Sequence, residues 1–204
     1  MGRVSDSPNK LMDAVLELIW TGSYGSTTID QICEKADVRK GSFYYYFDSK
    51  ADLAVAAIDS HWQKVRAESD CLFSPTVPPL QRLKNYFDMG YRFQSEIKLK
   101  YGNVLGCPLF SVGSEVCTQE HGVQKKIQEI LGYKLKYLES AIRDAHAAGL
   151  VDAPDPASKA RMIHAYYEGL LTQARIQNDV EVLREAAPGA FAILGLKIPG
   201  LVAI

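Results

Sequence analysis

The sequence lacks an excess of positive charge, a long apolar run and an apolar leader, and each absence excludes a class of protein. Its 23 Lys and Arg residues are balanced by 24 Asp and Glu residues, so no uniformly basic surface can wrap a polyanion. No run of 18 or more apolar residues is present, and the N-terminal residues lack the apolar stretch of a secretory signal. We therefore expect a cytoplasmic protein without a membrane partner, in which any contact with nucleic acid is local.

The cysteines are few and are not arranged as metal ligands. The four are Cys33, Cys71, Cys107 and Cys117, with no CxxC pair and no His at zinc-finger spacing. This pattern argues against a metal site and fits free thiols in a reducing compartment. We expect neither a metal nor a cofactor.

Apolar residues recur at helical spacing throughout the chain, and no strand-like alternation or hairpin signal is present. The three prolines of SDCLFSPTVPP, residues 69–79, mark the main connection, and Pro188-Gly189 predicts a kinked or split last helix. We predict an all-α fold. Three short helices within residues 1–50 precede a larger helical part at residues 51–204.

The stretch KGSFYYYF, residues 40–47, raises the question of what three consecutive tyrosines are for. At 100° per residue, Phe43 and Phe47 point one way, which predicts one buried and one presented face. The residues predicted on the presented face or its flanks are Gly41, Ser42, Tyr44, Tyr45 and Tyr46. A short helix with a small residue and several hydroxyls outward suits the major groove of DNA. The alternative, that the aromatic run is only core, is disfavoured because the two phenylalanines already fill the buried face.

Polar residues around this helix complete a local DNA-binding patch. Lys40 and Lys50 bracket the helix with positive charge, and Arg39 precedes it. Thr28 has capping-box spacing with Gln31, so it can bring its hydroxyl and the first free amides of a helix to a phosphate. The full set predicted to contact DNA is Thr28, Arg39, Lys40, Gly41, Ser42, Tyr44, Tyr45, Tyr46 and Lys50.

The segment TTIDQICEKADVRKGSFYYYFDSKADL, residues 27–53, resembles the helix-turn-helix of the TetR family of bacterial transcriptional regulators. The resemblance rests on the Thr-Ile start, Ala36, the Lys-Gly-Ser-Phe-Tyr opening, the Tyr-Phe pair and Lys50. Asp37 stands where the family often has glycine, and Asp tolerates the left-handed conformation. Tyr46 stands where many members have histidine. The resemblance implies a three-helix helix-turn-helix domain that binds DNA at residues 1–50, followed by a larger helical ligand-binding and dimerisation domain at residues 51–204.

The second half offers a candidate dimer surface. The helix that contains Gly169 and the last helix carry apolar residues in excess of one buried face, and this excess would otherwise face water. The residues predicted at the interface are Tyr166, Gly169, Leu170 and Phe191. A two-fold pair of recognition helices about 34 Å apart would read a palindromic operator. The alternative, that the tail packs only on its own chain, stays open.

Aromatic and ionisable residues between the long helices suit a pocket for a small organic effector. The candidates are His61, Trp62, Tyr86, Phe93, Cys107, Phe110, Tyr137, His164 and Tyr167. The alternative, that these residues form core, is the more common role of such side chains.

The stretch GCPLFSVGSEVC, residues 106–117, resembles the TetR branch that includes repressors of reductases acting on reactive electrophiles. That resemblance implies a sensing thiol at Cys107 acting with a lysine of a later helix, where this chain has Arg175. We expect a repressor that a small organic or electrophilic effector releases from DNA. A thiol-dependent enzyme using Cys107 with His61 or His164 lacks a local signature. A helical interaction module without DNA binding would leave the presented face of residues 41–46 unexplained.

Overall fold

The structure, a computed structural model, describes residues 6–116 and 118–196. This part of the chain is helical and contains no strand, which confirms the all-α prediction. The helices are α1 Ser7–Thr21, α2 Ile29–Ala36, α3 Lys40–Tyr46, α4 Lys50–Leu72, α5 Pro79–Tyr101, α6 Pro108–Val116, α7 His121–Ala147, α8 Pro156–Gln177, a 3-10 helix Val180–Glu185, and α9 Ala186–Ile193.

The described residues divide into two compact units. Unit 1 contains residues 1–66 and 108–130, and unit 2 contains residues 67–107 and 131–204. The division falls within α4 and α7 and not at residue 50. The predicted domain limits of 1–50 and 51–204 stay a prediction.

Unit 1 holds the three short helices around a common core. Leu11 and Val15 of α1, Ile32 of α2, Phe43 of α3 and Leu53 of α4 are fully buried. The turn between α2 and α3 depends on Asp37, which has φ 51° and ψ 49° and closes α2 by donating its N–H to the carbonyls of Cys33 and Glu34. Aspartate therefore takes the left-handed position predicted for it.

Unit 2 is built on α5, the C-terminal part of α7, and α8. Its core includes Leu83 and Phe87 of α5, Leu138 of α7 and Ile163 of α8. Arg82 of α5 is only 3% exposed, and each of its three guanidinium nitrogens forms a hydrogen bond. Its guanidinium donates to the Val77 and Pro75 carbonyls and pairs with the Asp144 carboxylate.

Two boundaries differ from the sequence prediction. Helix α4 continues to Leu72, so the proline-containing connection is limited to residues 73–78. The last segment is split as expected, but the split lies at residues 185 and 186, and Pro188 is inside α9. Proline is tolerated there because the first turn of a helix needs no N–H donor.

Candidate functional site

Helix α3 presents a tyrosine face above a phenylalanine anchor. Phe43 is fully buried, whereas Tyr44 is 53% and Tyr45 80% exposed. Edge-to-face packing orients the rings, with centroids 5.1 Å apart for Phe43 and Tyr44 and 4.8 Å apart for Tyr45 and Tyr46. Tyr46 is half-buried, in agreement with its predicted place on the flank.

Phe47 is less buried than predicted. It follows the last residue of α3 and has extended backbone, with φ −139° and ψ 132°. The helical projection therefore does not apply to it, and its side chain is half-buried. Phe43 alone anchors α3 as a fully buried side chain.

The residues at the start of α3 lie at the surface. Arg39 and Gly41 are exposed, and Ser42 is half-buried. A Cβ placed on Gly41 would meet no other atom within 4 Å, so this position is open. Lys40 is also exposed, and its ammonium pairs with the Asp30 carboxylate at 2.6 Å. This bond raises the Lys40 pKa and ties the start of α3 to the start of α2.

Thr28 caps α2 in the predicted way. Its hydroxyl accepts the Gln31 N–H at 3.2 Å, and its own N–H donates to the Gln31 side-chain oxygen at 2.8 Å. The Thr28 side chain is exposed. The first turn of α2 therefore opens at the surface of unit 1, next to the Lys40–Asp30 pair.

Lys50 is engaged within unit 1. Its ammonium donates to the carbonyls of Tyr24 at 2.7 Å and Thr27 at 2.8 Å, and lies 4.2 Å from the centroid of the Tyr24 ring. Burial lowers the Lys50 pKa. The structure thus uses this lysine to hold the loop before α2, a contact that sequence reasoning did not anticipate.

In unit 2, a buried segment presents Cys107 to α8. Residues 104–107 are all buried. The Gln94 amide of α5 bonds both backbone groups of Gly106, each at 3.0 Å, and Gly106 takes φ 68°, which glycine adopts without strain. The Cys107 thiol forms a hydrogen bond with the Glu168 carboxylate of α8. Cys107 is therefore held on a fixed backbone beside an acid.

Glu168 is the unusual member of this cluster. It is 3% exposed, its Oε2 has no hydrogen-bond partner, and its Oε1 lies 3.7 Å from His164 Nε2. Burial raises the Glu168 pKa, and burial together with Lys134 lowers the His164 pKa to about 4. The histidine is therefore neutral at pH 7 and does not neutralise the carboxylate.

Aromatic rings adjoin the Cys107 and Glu168 cluster. Tyr86 packs edge-to-face on Tyr167 at 5.4 Å and on Phe87 at 5.3 Å, and Phe87 packs on Tyr167 at 5.2 Å. Phe73 extends the group, with its ring 5.8 Å from Tyr86 and 5.2 Å from Tyr137. The Tyr137 hydroxyl donates to Asp70. Five predicted pocket residues thus lie in or next to this cluster of unit 2: Tyr86, Cys107, Tyr137, His164 and Tyr167.

Four other predicted pocket residues lie elsewhere. His61 is exposed, because the buried face of α4 runs through Leu53, Ala57 and Ile58 to Trp62. Of these two neighbouring pocket candidates, Trp62 therefore faces the core and His61 faces the surface. Trp62 and Phe110 belong to unit 1, and Phe93 is 41% exposed on α5.

The predicted dimer residues differ in exposure. Gly169 is exposed, Tyr166 and Phe191 are half-buried, and Leu170 is 8% exposed within its own chain. The Tyr166 hydroxyl donates to the Glu185 carbonyl at 2.8 Å and would overlap a Cβ on Gly189. An outward stripe follows α8 and consists of Met162, Ala165, Gly169, Gln173 and Ile176, of which all but Gln173 are small or apolar.

Within residues 6–116 and 118–196, no group of His, Cys, Asp or Glu side chains is placed to hold a metal ion. No helix in the same part of the chain is long and apolar enough to cross a bilayer.

Comparison with known proteins identifies the family. Residues 11–57 match the family described as bacterial regulatory proteins, tetR family, and residues 79–189 match the tetracyclin repressor-like C-terminal domain. The chain belongs to the TetR family. It is a ligand-responsive DNA-binding transcriptional regulator, and this family consists of regulators rather than enzymes.

Individual relatives agree over most of the chain. An uncharacterised HTH-type transcriptional regulator of Lactococcus lactis is 29% identical over 181 residues, which cover 87% of this chain and 88% of the relative. The HTH-type transcriptional repressor NemR of Escherichia coli is 25% identical over 162 residues, 78% of each chain. The crystal structure of regulatory protein TetR from Rhodobacter sphaeroides superposes with a TM-score of 0.82 at 26% identity, covering 93% of this chain and 99% of that one.

Sequence reasoning missed three residues that organise these TetR-family sites. Glu168 was detectable, since it is the one carboxylate in the otherwise apolar segment from Met162 to Leu171. Gln94 and Glu115 gave no local signal, because each acts on backbone groups distant in sequence. Glu115 accepts from residues about 90 positions away.

Proposed function

We propose that this regulator is a homodimeric repressor of the cytoplasm that binds a palindromic operator through α3. A small organic or electrophilic effector, bound at the Cys107 and Glu168 cluster, would release it. The exposed Tyr44 and Tyr45 rings on the fully buried Phe43 anchor carry the DNA-binding part of the proposal. Large exposed aromatic side chains on a short anchored helix are suited to contacts with thymine methyl groups and base edges.

The residues around α3 have distinct proposed roles. Tyr44, Tyr45 and Tyr46 contact bases and phosphates through rings and hydroxyls, and Gly41 and Ser42 permit close approach. Arg39, Lys40 and Thr28 contact phosphates. Lys50 acts through the loop that it holds, because its ammonium already serves two carbonyls.

The experiment is selection of bound sequences from random DNA, followed by affinity measurements on the selected duplex. Tyr44→Ala should weaken operator binding about 5- to 150-fold, corresponding to ~1–3 kcal/mol. Tyr133→Ala is the matched control, because Tyr133 is 38% exposed and belongs to unit 2. Equal affinities for the wild type and Tyr44→Ala would refute the assignment of α3.

The outward stripe of α8 supports the dimer. Ile176 is 78% and Met162 51% exposed, and large exposed apolar side chains on one helix face favour burial against a second copy. Ile176→Glu should therefore yield monomers of 22.6 kDa in light scattering, whereas the wild type should have twice that mass. Leu99→Glu is the control, since Leu99 is 87% exposed on α5. A monomeric wild type at micromolar concentration would refute the dimer. Leu170 is unsuitable for this test because its burial within the chain makes any substitution a test of folding.

The effector site is supported by a buried acid next to a thiol. N-Ethylmaleimide is a suitable probe, because alkylation adds bulk at Cys107 within a closed cluster. Treatment should lower operator affinity of the wild type and of Cys71→Ser, whose thiol is exposed, but not of Cys107→Ser. Equal responses of the wild type and Cys107→Ser would remove Cys107 from the mechanism and leave reversible binding beside the aromatic rings.

A further inference from the structure

A side chain of α6 forms hydrogen bonds with the loop that leads into α2, residues 23–28. One carboxylate oxygen of Glu115 accepts the Tyr24 N–H at 2.9 Å, and the other accepts the Gly25 N–H at 2.7 Å. Both partners belong to unit 1, although they are about 90 residues apart in sequence. A carboxylate that accepts two adjacent backbone N–H groups fixes both the position and the orientation of that peptide.

The backbone carbonyls of the same loop also accept hydrogen bonds from a charged side chain. Lys50 bonds the carbonyls of Tyr24 and Thr27, and the Tyr24 hydroxyl donates to Glu120 at 3.2 Å. Tyr24 itself is 4% exposed, and the Lys50 ammonium lies 4.2 Å from the centroid of its ring. The amides are therefore fixed by an anion and the carbonyls by a cation.

This loop determines where α2 and α3 begin. It ends at Thr28, the cap of α2, and the Thr27 N–H donates to the Tyr24 carbonyl at 3.3 Å. Asp30, in the first turn of α2, pairs with Lys40 at the start of α3. A displacement of Tyr24 and Gly25 would therefore shift the start of α2 and, through it, the start of α3.

We propose that Glu115 is a positioning residue for operator recognition, because its carboxylate holds the loop before α2 in the place at which α3 presents its tyrosine face correctly. This inference rests on the proposed function of α3. Glu115 is exposed, so it contributes little to the core. A negative charge in the DNA-binding unit also opposes phosphate binding. Its contribution to recognition is geometric.

Charge and position predict opposite results for Glu115→Gln. Loss of a negative charge alone should tighten binding to every duplex and leave the ratio of operator to scrambled-duplex affinity unchanged. Loss of positioning should weaken binding to the operator about tenfold, ~1.4 kcal/mol, without weakening binding to a scrambled duplex of equal length. The measured quantity is therefore this specificity ratio, and Glu68→Gln, on the exposed surface of α4, is the control for charge.

Gly25→Ala tests the same bond without a change of charge. A Cβ on Gly25 would lie 2.9 Å from Glu115 Oε1 and would displace the carboxylate, so the specificity ratio should fall as in Glu115→Gln. The double variant should show no further loss, because both changes act on one interaction. Gly122→Ala is the control, since its Cβ would lie 3.8 Å from the Val55 side chain, at ordinary contact distance.

An unchanged specificity ratio in Glu115→Gln would overturn the inference. A ratio that falls only in step with the folded fraction, measured by circular dichroism, would overturn it as well. If the wild type selects no operator at all, the proposed function fails and the inference fails with it. Operator binding by the wild type with an unaltered ratio in the variants refutes the role of Glu115 alone.

Discussion

Gly90 is the position at which one methyl group should most clearly disturb unit 2. A Cβ at Gly90 of α5 would overlap the Tyr167 hydroxyl and lie 2.9 Å from Tyr167 Cζ. Tyr167 is 5% exposed, and its ring packs on Tyr86 and Phe87. The ring therefore has little room to move away. We expect Gly90→Ala to destabilise the fold.

The magnitude follows from two opposing contributions. Alanine in a helix interior is favoured over glycine by about 0.8–1 kcal/mol. Overpacking of a closed cluster costs ~1–3 kcal/mol, and the overlap with a held aromatic hydroxyl places this substitution near the upper value. The net loss in free energy of unfolding should be ~1–2 kcal/mol. Tyr167→Phe removes the overlapped hydroxyl but keeps Cζ, so the double variant should recover part of this loss.

Urea unfolding followed by circular dichroism measures these differences. All variants must be compared at one protein concentration, because a dimer has concentration-dependent stability. Gly132→Ala is the matched control: it lies in α7, a Cβ there meets nothing within 4 Å, and it should gain up to about 1 kcal/mol. The reasoning is refuted if Gly90→Ala is as stable as Gly132→Ala, or if Tyr167→Phe brings no recovery.

Four further substitutions test the cores and the buried histidine. Phe43→Ala should cost ~3–5 kcal/mol in thermal unfolding and abolish operator binding, since Phe43 is the fully buried anchor of α3. Arg82→Met should cost ~1–3 kcal/mol by urea unfolding, because it leaves two backbone carbonyls and the partly exposed Asp144 without their donor, whereas Asp144→Asn should cost less. Burial lowers the His164 pKa to about 4, so the unfolded chain binds a proton at higher pH than the folded protein does. The free energy of unfolding is therefore unaffected by this group above pH 6.5 and falls by up to ~3 kcal/mol as the pH falls towards 4. The raised pKa of Glu168 has the opposite effect, because it increases the free energy of unfolding as the pH falls. Urea unfolding at pH 7 and 4.5 should therefore show a smaller decrease in the free energy of unfolding for His164→Gln than for the wild type.

Local periodicity was sufficient to predict the presented face of α3. A helical projection needs only the residues of the helix itself, and it correctly separated Phe43 from Tyr44 and Tyr45. It was less accurate for Phe47 because the helix ends one residue earlier. The capping of α2 by Thr28 was equally local, since its partner is three residues away.

Contacts between distant residues set the limit of such prediction. His61 and Trp62 are neighbours on α4, and a periodic pattern with several small residues does not decide which of the two faces inward. Lys50 was predicted at a phosphate because sequence shows charge but not the carbonyls 23 and 26 residues away that bind it. The hydrogen bonds of Glu115 to the Tyr24 and Gly25 amides span about 90 residues, so no local sequence pattern predicts them.

The surroundings of Cys107 place a physical condition on any sensing by its thiol. The later helix that the resemblance implicates carries two charged residues facing the 106–107 segment, Glu168 and Arg175. The stem of Arg175 lies 3.6–3.7 Å from a Cβ position on Gly106, while the Cys107 thiol bonds the Glu168 carboxylate. A carboxylate that accepts a hydrogen bond from the thiol favours the protonated sulfur. A guanidinium favours the thiolate, which is the nucleophile. The hydrogen bond to Glu168 therefore opposes formation of the thiolate that would attack an electrophile.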